Sequence, residues 1–105
     1  MNDRLLSFLG LCRRARKLTI GAQTAVESIE SNKSRLIVYA RDFSANSLKP
    51  VLEAAEKYAV EALMANRSKD ELSFALGRLC GVISVEDSGF AQKLSLMIKD
   101  EQGGE

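Results

Sequence analysis

Leu36-Ile37-Val38-Tyr39-Ala40 is a continuous apolar run rich in β-branched residues. Neither side of such a run keeps a polar alternation for solvent, so it reads as a central strand covered on both faces. Arg41, Asp42, Phe43 and Ser44 leave its C-terminal end. A helix follows, with Leu48, Val51, Leu52, Ala55 and Ala59 at helical spacing. Pro50, the only proline, suits a first turn and so a start near Asn46 or Ser47. With Ser44 as the cap instead, Pro50 falls inside the helix and should kink it; both starts stay open.

Outward from this strand the pattern repeats. Downstream, residues 60–64 read as a second strand. Ser68 and Glu71 then form a capping box, each side chain satisfying the other's backbone N–H. The helix they open carries Leu72, Ala75, Leu76 and Leu79, with Gly77 as its stop. Residues 82–85 are a third strand, and Asp87 caps a last helix with Phe90, Leu94, Met97 and Ile98 inward. Residues 101–105 are expected to fray as a flexible tail.

Upstream, Gly21 opens a helix running to about Ser31, with Ala22, Ala25, Val26 and Ile29 on one face. Residues 18–20 are short and β-prone. Asp3 caps a first helix bearing Leu5, Phe8, Leu9 and Cys12, a stripe widened by Leu6 and Leu11. Gly10 within it weakens the helix by about 1 kcal/mol and allows close packing. Helices alternating with buried strands predict an α/β fold, with helices on both faces of a small, mostly parallel sheet and right-handed crossovers.

Length and composition narrow the function. A chain of 105 residues with 46% hydrophobic content is expected to form one domain, residues 1–100, with a real core. It holds no apolar run long enough for a membrane span and no signal-peptide pattern, so the expected compartment is the cytoplasm. Cys12 and Cys80 belong to no C-x-x-C pair, and there is no histidine. They read as small buried hydrophobes, with no metal and no cofactor expected. Without histidine there is no His-based general base, and neither a Walker-type phosphate loop nor a dinucleotide-binding fingerprint occurs. The acidic pairs Glu53 with Glu56 and Asp70 with Glu71 read as solvated helix charges. A non-catalytic protein is expected.

The net charge of +1 hides an asymmetry. Residues 1–50 hold nine Lys or Arg against four Asp or Glu, a balance of +5; residues 51–105 hold six against ten, a balance of −4. The basic half is concentrated in Arg13, Arg14, Arg16 and Lys17, just before the helix that Gly21 opens. Cations followed by a helix N-terminus, whose free N–H groups carry partial positive charge, suit a phosphate backbone.

Leu9-Gly10-Leu11-Cys12-Arg13-Arg14-Ala15-Arg16-Lys17-Leu18, then Gly21, then the strand 36–40 closed by Asp42-Phe43-Ser44, then Leu76-Gly77-Arg78 and Asp87-Ser88-Gly89-Phe90-Ala91, form an ordered set. It resembles the bacterial YlxQ-like members of the kink-turn-binding ribosomal protein superfamily, the L7Ae and L30e type, over about residues 3–99. The resemblance implies a three-layer α/β/α sandwich with a four-stranded mixed sheet, and promotes Leu18 and Thr19 to the fourth strand. It implies binding of structured RNA by two elements: the start of the second helix and the loop before the last strand. Gly21 matches the family glycine at which backbone approaches RNA, followed by Ala22. Gln23 stands where ribosomal members read a guanine with asparagine. Thr24 and Glu27 stand where those members carry glutamate and lysine, and the carboxylate reverses the local charge. Arg78, Leu79, Cys80 and Gly81 form the second loop, with Arg41 at the rim. The partner so implied is structured RNA, ribosomal RNA or the ribosome; no DNA and no membrane partner is expected, and a monomer is expected. The alternative is a protein-interaction module on the same fold that has lost kink-turn affinity.

Overall fold

The computed structural model describes residues 3–103. Nine elements follow one another: α1 (Arg4–Arg14), β1 (Leu18–Ile20), α2 (Ala22–Glu30), β2 (Leu36–Ala40), α3 (Ala45–Lys57), β3 (Ala62–Ala65), α4 (Lys69–Leu76), β4 (Val82–Val85) and α5 (Ser88–Gly103). The strands form one sheet in the order β1-β4-β2-β3. β4 runs antiparallel to both β1 and β2, and only β2 and β3 are parallel. The sheet is therefore mixed, as the resemblance implies, and not mostly parallel. Alternation of helices with strands constrains which elements cover the sheet but not the direction in which β4 enters it.

β2 explains the three layers. Leu36, Val38 and Ala40 point into a core shared with α1, α4 and α5, while Ile37 points into a second core with α2 and α3. A strand with period-2 side chains and apolar residues at every position needs cover on both faces. Leu36, Ile37, Val38 and Ala40 are all buried. Among the described residues no helix is long and apolar enough to cross a membrane.

Helix ends follow the local code. Asp3 Oδ1 accepts from the Leu6 N–H at 3.0 Å, Asp87 Oδ2 from the Phe90 N–H at 2.9 Å, and Ser68 with Glu71 completes its capping box. Ser44 caps α3, and Pro50 lies within that helix, so the start near Ser47 is excluded. Ala59 is not on the α3 stripe; it follows the helix with φ 58°. β3 begins at Ala62 rather than residue 60, because the chain is still closing α3 there: the Val60 N–H bonds the Ala55 carbonyl. Leu11 is 44% exposed and does not widen the α1 core face. α5 continues through residues 101–103, where a tail was expected; Glu101 pairs with Arg67, and Gln102 donates to the Met64 carbonyl. Residues 104 and 105 lie outside the described residues.

Both cysteines are free and buried. Burial pushes each thiol up to about 11, which removes them as nucleophiles near neutral pH.

Candidate functional site

The first turn of α2 is open. Gly21 precedes it at φ 112°, a backbone region that a side chain disfavours, and offers no side-chain cap. The first helical bond runs from the Ala25 N–H to the Gly21 carbonyl. The amides of Ala22, Gln23 and Thr24 are thus left for other acceptors, at the positive end of the helix. Gln23 and Thr24 are exposed, and among the described residues neither side chain has a hydrogen-bond partner.

The second loop folds against this turn. Gly77 ends α4 at φ 70°, and the Ser73 hydroxyl then holds Cys80, accepting from its N–H at 2.9 Å and donating to its carbonyl at 3.3 Å. A Cβ on Gly81 would land on the ring of Phe43, so this position must remain glycine for the turn to sit against β2. The Gly21 N–H bonds the Val82 carbonyl at 3.0 Å, which stitches the two loops together. The result is an open pocket of about 360 Å³, lined by Gly21, Ala22, Phe43, Leu79 and Gly81 and by one cation and one carboxylate, Lys69 and Asp70. Leu79, placed on the α4 apolar stripe by its spacing, is instead 88% exposed, because Gly77 turns the chain out of the helix. Cys80 lies the other way, with its thiol in the core. The pocket can offer amide donors and an apolar cover at Leu79, and the Gln23 side chain is exposed on the helix turn that follows Ala22.

The basic cluster is elsewhere. Arg13, Arg14, Arg16 and Lys17 are exposed at the C-terminal end of α1. The Lys17 carbonyl accepts from Glu86, past the far end of β4, whereas Gly21 meets Val82 at its start. β1 therefore separates cluster and helix start by its own length, roughly 13 Å for four extended steps. Adjacency in sequence is not contact here. Arg13, Arg14 and Arg16 instead line a separate groove of about 440 Å³ with Phe74 and Gly77. The turn 77–81, with exposed Arg78 in it, joins that groove to the pocket.

Arg41 is engaged: its Nη1 lies 3.4 Å from Glu71 Oε1. Glu71 is held below the usual carboxylate range first by the Ser68 N–H. Glu27 is exposed on α2, one turn beyond Gln23. Among the described residues no three His, Cys, Asp or Glu side chains converge as a metal site would require. Sequence reasoning quoted Phe43 without giving it a role, and missed Lys69 and Ser73 at the pocket and Phe74 in the separate groove. Of the missed residues Phe74 carried a signal, an aromatic off the apolar stripe of its helix.

Residues 3–95 match the family model described as the ribosomal protein L7Ae/L30e/S12e/Gadd45 family. The chain is 34% identical over 91 residues to the RNA-binding protein YlxQ of Bacillus subtilis strain 168, covering 82% of this chain and 86% of that protein. It is 28% identical to the RNA-binding protein YlxQ of Enterococcus faecium, over 92% of this chain and 93% of that one. A solved structure of a protein of unknown function from Bacillus halodurans superposes with a TM-score of 0.86 at 29% identity, covering 91% of this chain and 97% of the other. The 15.5 kD RNA-binding protein of Giardia lamblia has the same fold, with a TM-score of 0.72 at 20% identity over 94% and 91% of the two chains.

Proposed function

We infer, for a chain that belongs to the ribosomal protein L7Ae/L30e/S12e/Gadd45 family, that it binds structured RNA without catalysing a reaction on it. The relatives named as RNA-binding proteins support this reading. The observation that carries it is the pocket where the uncapped start of α2 and the turn before β4 meet. Amide donors of Ala22, Gln23 and Thr24 face phosphate or base-edge acceptors, Gln23 offers both an amide donor and an acceptor, and Leu79 covers an unstacked base. A kink-turn, whose sheared G·A pairs expose base edges at a bend, is the RNA shape that this geometry suits. Arg13, Arg14, Arg16, Lys17 and Arg78 supply phosphate attraction that does not read sequence.

A titration against a kink-turn RNA and a stem with its G·A pairs replaced tests this at two salt concentrations. The wild-type protein is expected to prefer the kink-turn at both. Replacing Arg13 and Arg14 by alanine should weaken binding to both RNAs about equally, and Gln23→Ala should narrow the gap between them. Equal effects from the two changes would contradict these roles. The exposed Glu27 carboxylate favours a second reading, a protein-interaction module on this fold. Partners that survive nuclease treatment, together with no preference between the two RNAs, would select it.

A further inference from the structure

We propose that the groove between the C-terminal ends of α1 and α4 is a separate RNA subsite for an unpaired nucleotide, with its base on Phe74 and its phosphates on Arg13, Arg14 and Arg16. The proposal rests on the RNA-binding reading and extends it away from the Gly21 pocket.

Phe74 is 78% exposed in the middle of a helix whose other apolar residues turn inward. A lone exposed aromatic is ordinary on a protein surface. The surroundings of this one are not. The groove beside it carries three arginines and no carboxylate among its lining residues. Two glycines let guanidinium groups lie close over backbone: a Cβ on Gly77 would sit 3.3 Å from Arg13 Nη1, and one on Gly10 would sit 3.4 Å from the Ala75 carbonyl and 3.6 Å from Arg14 Nη1. Among the described residues three cations are held in ion pairs, Arg41 with Glu71, Arg67 with Asp3 and Glu101, and Lys99 with Glu61. Among the described residues Arg13, Arg14 and Arg16 form no ion pair.

Three arginines lining one groove with no carboxylate call for an anion, and an exposed ring beside them calls for a flat apolar partner. An unpaired nucleotide answers both. Its phosphates take bidentate guanidinium contacts, and every base offers a π face. An acidic peptide would satisfy the charges but leave the ring unmatched. The subsite should therefore tolerate any base, in contrast to the base-edge contact at Gln23.

The test uses three RNAs: a kink-turn stem, the same stem with an unpaired extension of about six nucleotides, and an unpaired oligonucleotide alone. The extension is expected to tighten binding to wild-type protein. Phe74→Ala should remove most of that gain, roughly five- to 100-fold, and weaken oligonucleotide binding in parallel. It should leave binding to the bare stem unchanged, and Phe74→Tyr should behave as wild type. Equal binding of the extended stem and the oligonucleotide by wild type and Phe74→Ala would overturn the subsite. Stem binding with no gain from the extension would overturn the subsite alone. Phe74-dependent oligonucleotide binding without stem preference would keep the subsite and sink the kink-turn reading. No binding to any of the three would sink both.

Discussion

Arg16 occupies a left-handed backbone conformation at φ 60°, just past the end of α1. The Lys17 N–H bonds the Cys12 carbonyl at 2.9 Å, the six-to-one bond of a glycine-type helix stop. Ala59 and Asn32 close α3 and α2 in the same way, with Val60 bonding Ala55 and Lys33 bonding Ser28. Glycine is the unstrained residue at such a position, and arginine there costs about 1 kcal/mol. The cation is thus held at a backbone position that stability alone would give to glycine. Arg16→Gly is expected to raise the unfolding free energy by about 0.5–1 kcal/mol in a urea titration while weakening RNA binding at low salt. Greater stability with unchanged binding would remove Arg16 from the interface. The basic run containing Arg16 was legible as sequence, whereas its φ was not, because the conformation is set by how α1 must end against β1.

At the scale of elements, α2 is the informative helix. Its inner face, Ala25 and Ile29, follows the periodicity of the sequence, and its outer face carries Gln23, Thr24 and Glu27 into solvent. Ser28 was not legible. It is buried, its hydroxyl 2.8 Å from that of Ser84 and 2.6 Å from Glu86 Oε2, with Ser34 extending the chain of hydroxyls at 2.8 Å from Ser84. A helical position next to Ile29 reads as polar surface until β4 supplies the partner that lets it be buried. Glu27 sits on the same helix, and its carboxylate opposes phosphate. Glu27→Lys should tighten binding to any RNA by roughly three- to tenfold at low salt and steepen the salt dependence. An unchanged salt slope, read from titrations at several ionic strengths, would place that face of α2 away from RNA.

At the scale of the molecule, Arg67 ties distant parts of the chain. Its guanidinium donates to both Asp3 oxygens, at 2.7 and 3.1 Å, and to both oxygens of Glu101, at 3.1 and 2.8 Å. The start of α1, the turn before α4 and the end of α5 are thereby joined. The Arg67 hydrogen bonds hold the Asp3 carboxyl below its ordinary value of 3.8. A depressed carboxyl contributes stability above its unfolded value and loses it as pH falls through the folded one. Asp3→Asn keeps an N-cap but not the charge, so it should destabilise by on the order of 1–3 kcal/mol at neutral pH. That difference should shrink below about pH 4. Urea midpoints measured from pH 7 down to 3 check this, and a pH-independent difference would remove the ion pair as its cause. By itself the sequence determined the alternation of helices with buried strands, the caps at Asp3, Ser68 and Asp87 and the two-faced burial of β2, since periodicity and capping are local and each is written within a few residues; the strand at Leu18 came from the family resemblance. Only the tertiary structure decided that β4 runs antiparallel between β1 and β2, that Leu79 faces solvent while Cys80 faces the core, and that Arg13, Arg14 and Arg16 share a groove with Phe74 of α4. Those facts depend on which segments meet in space, and the spacing of residues along one chain does not encode that.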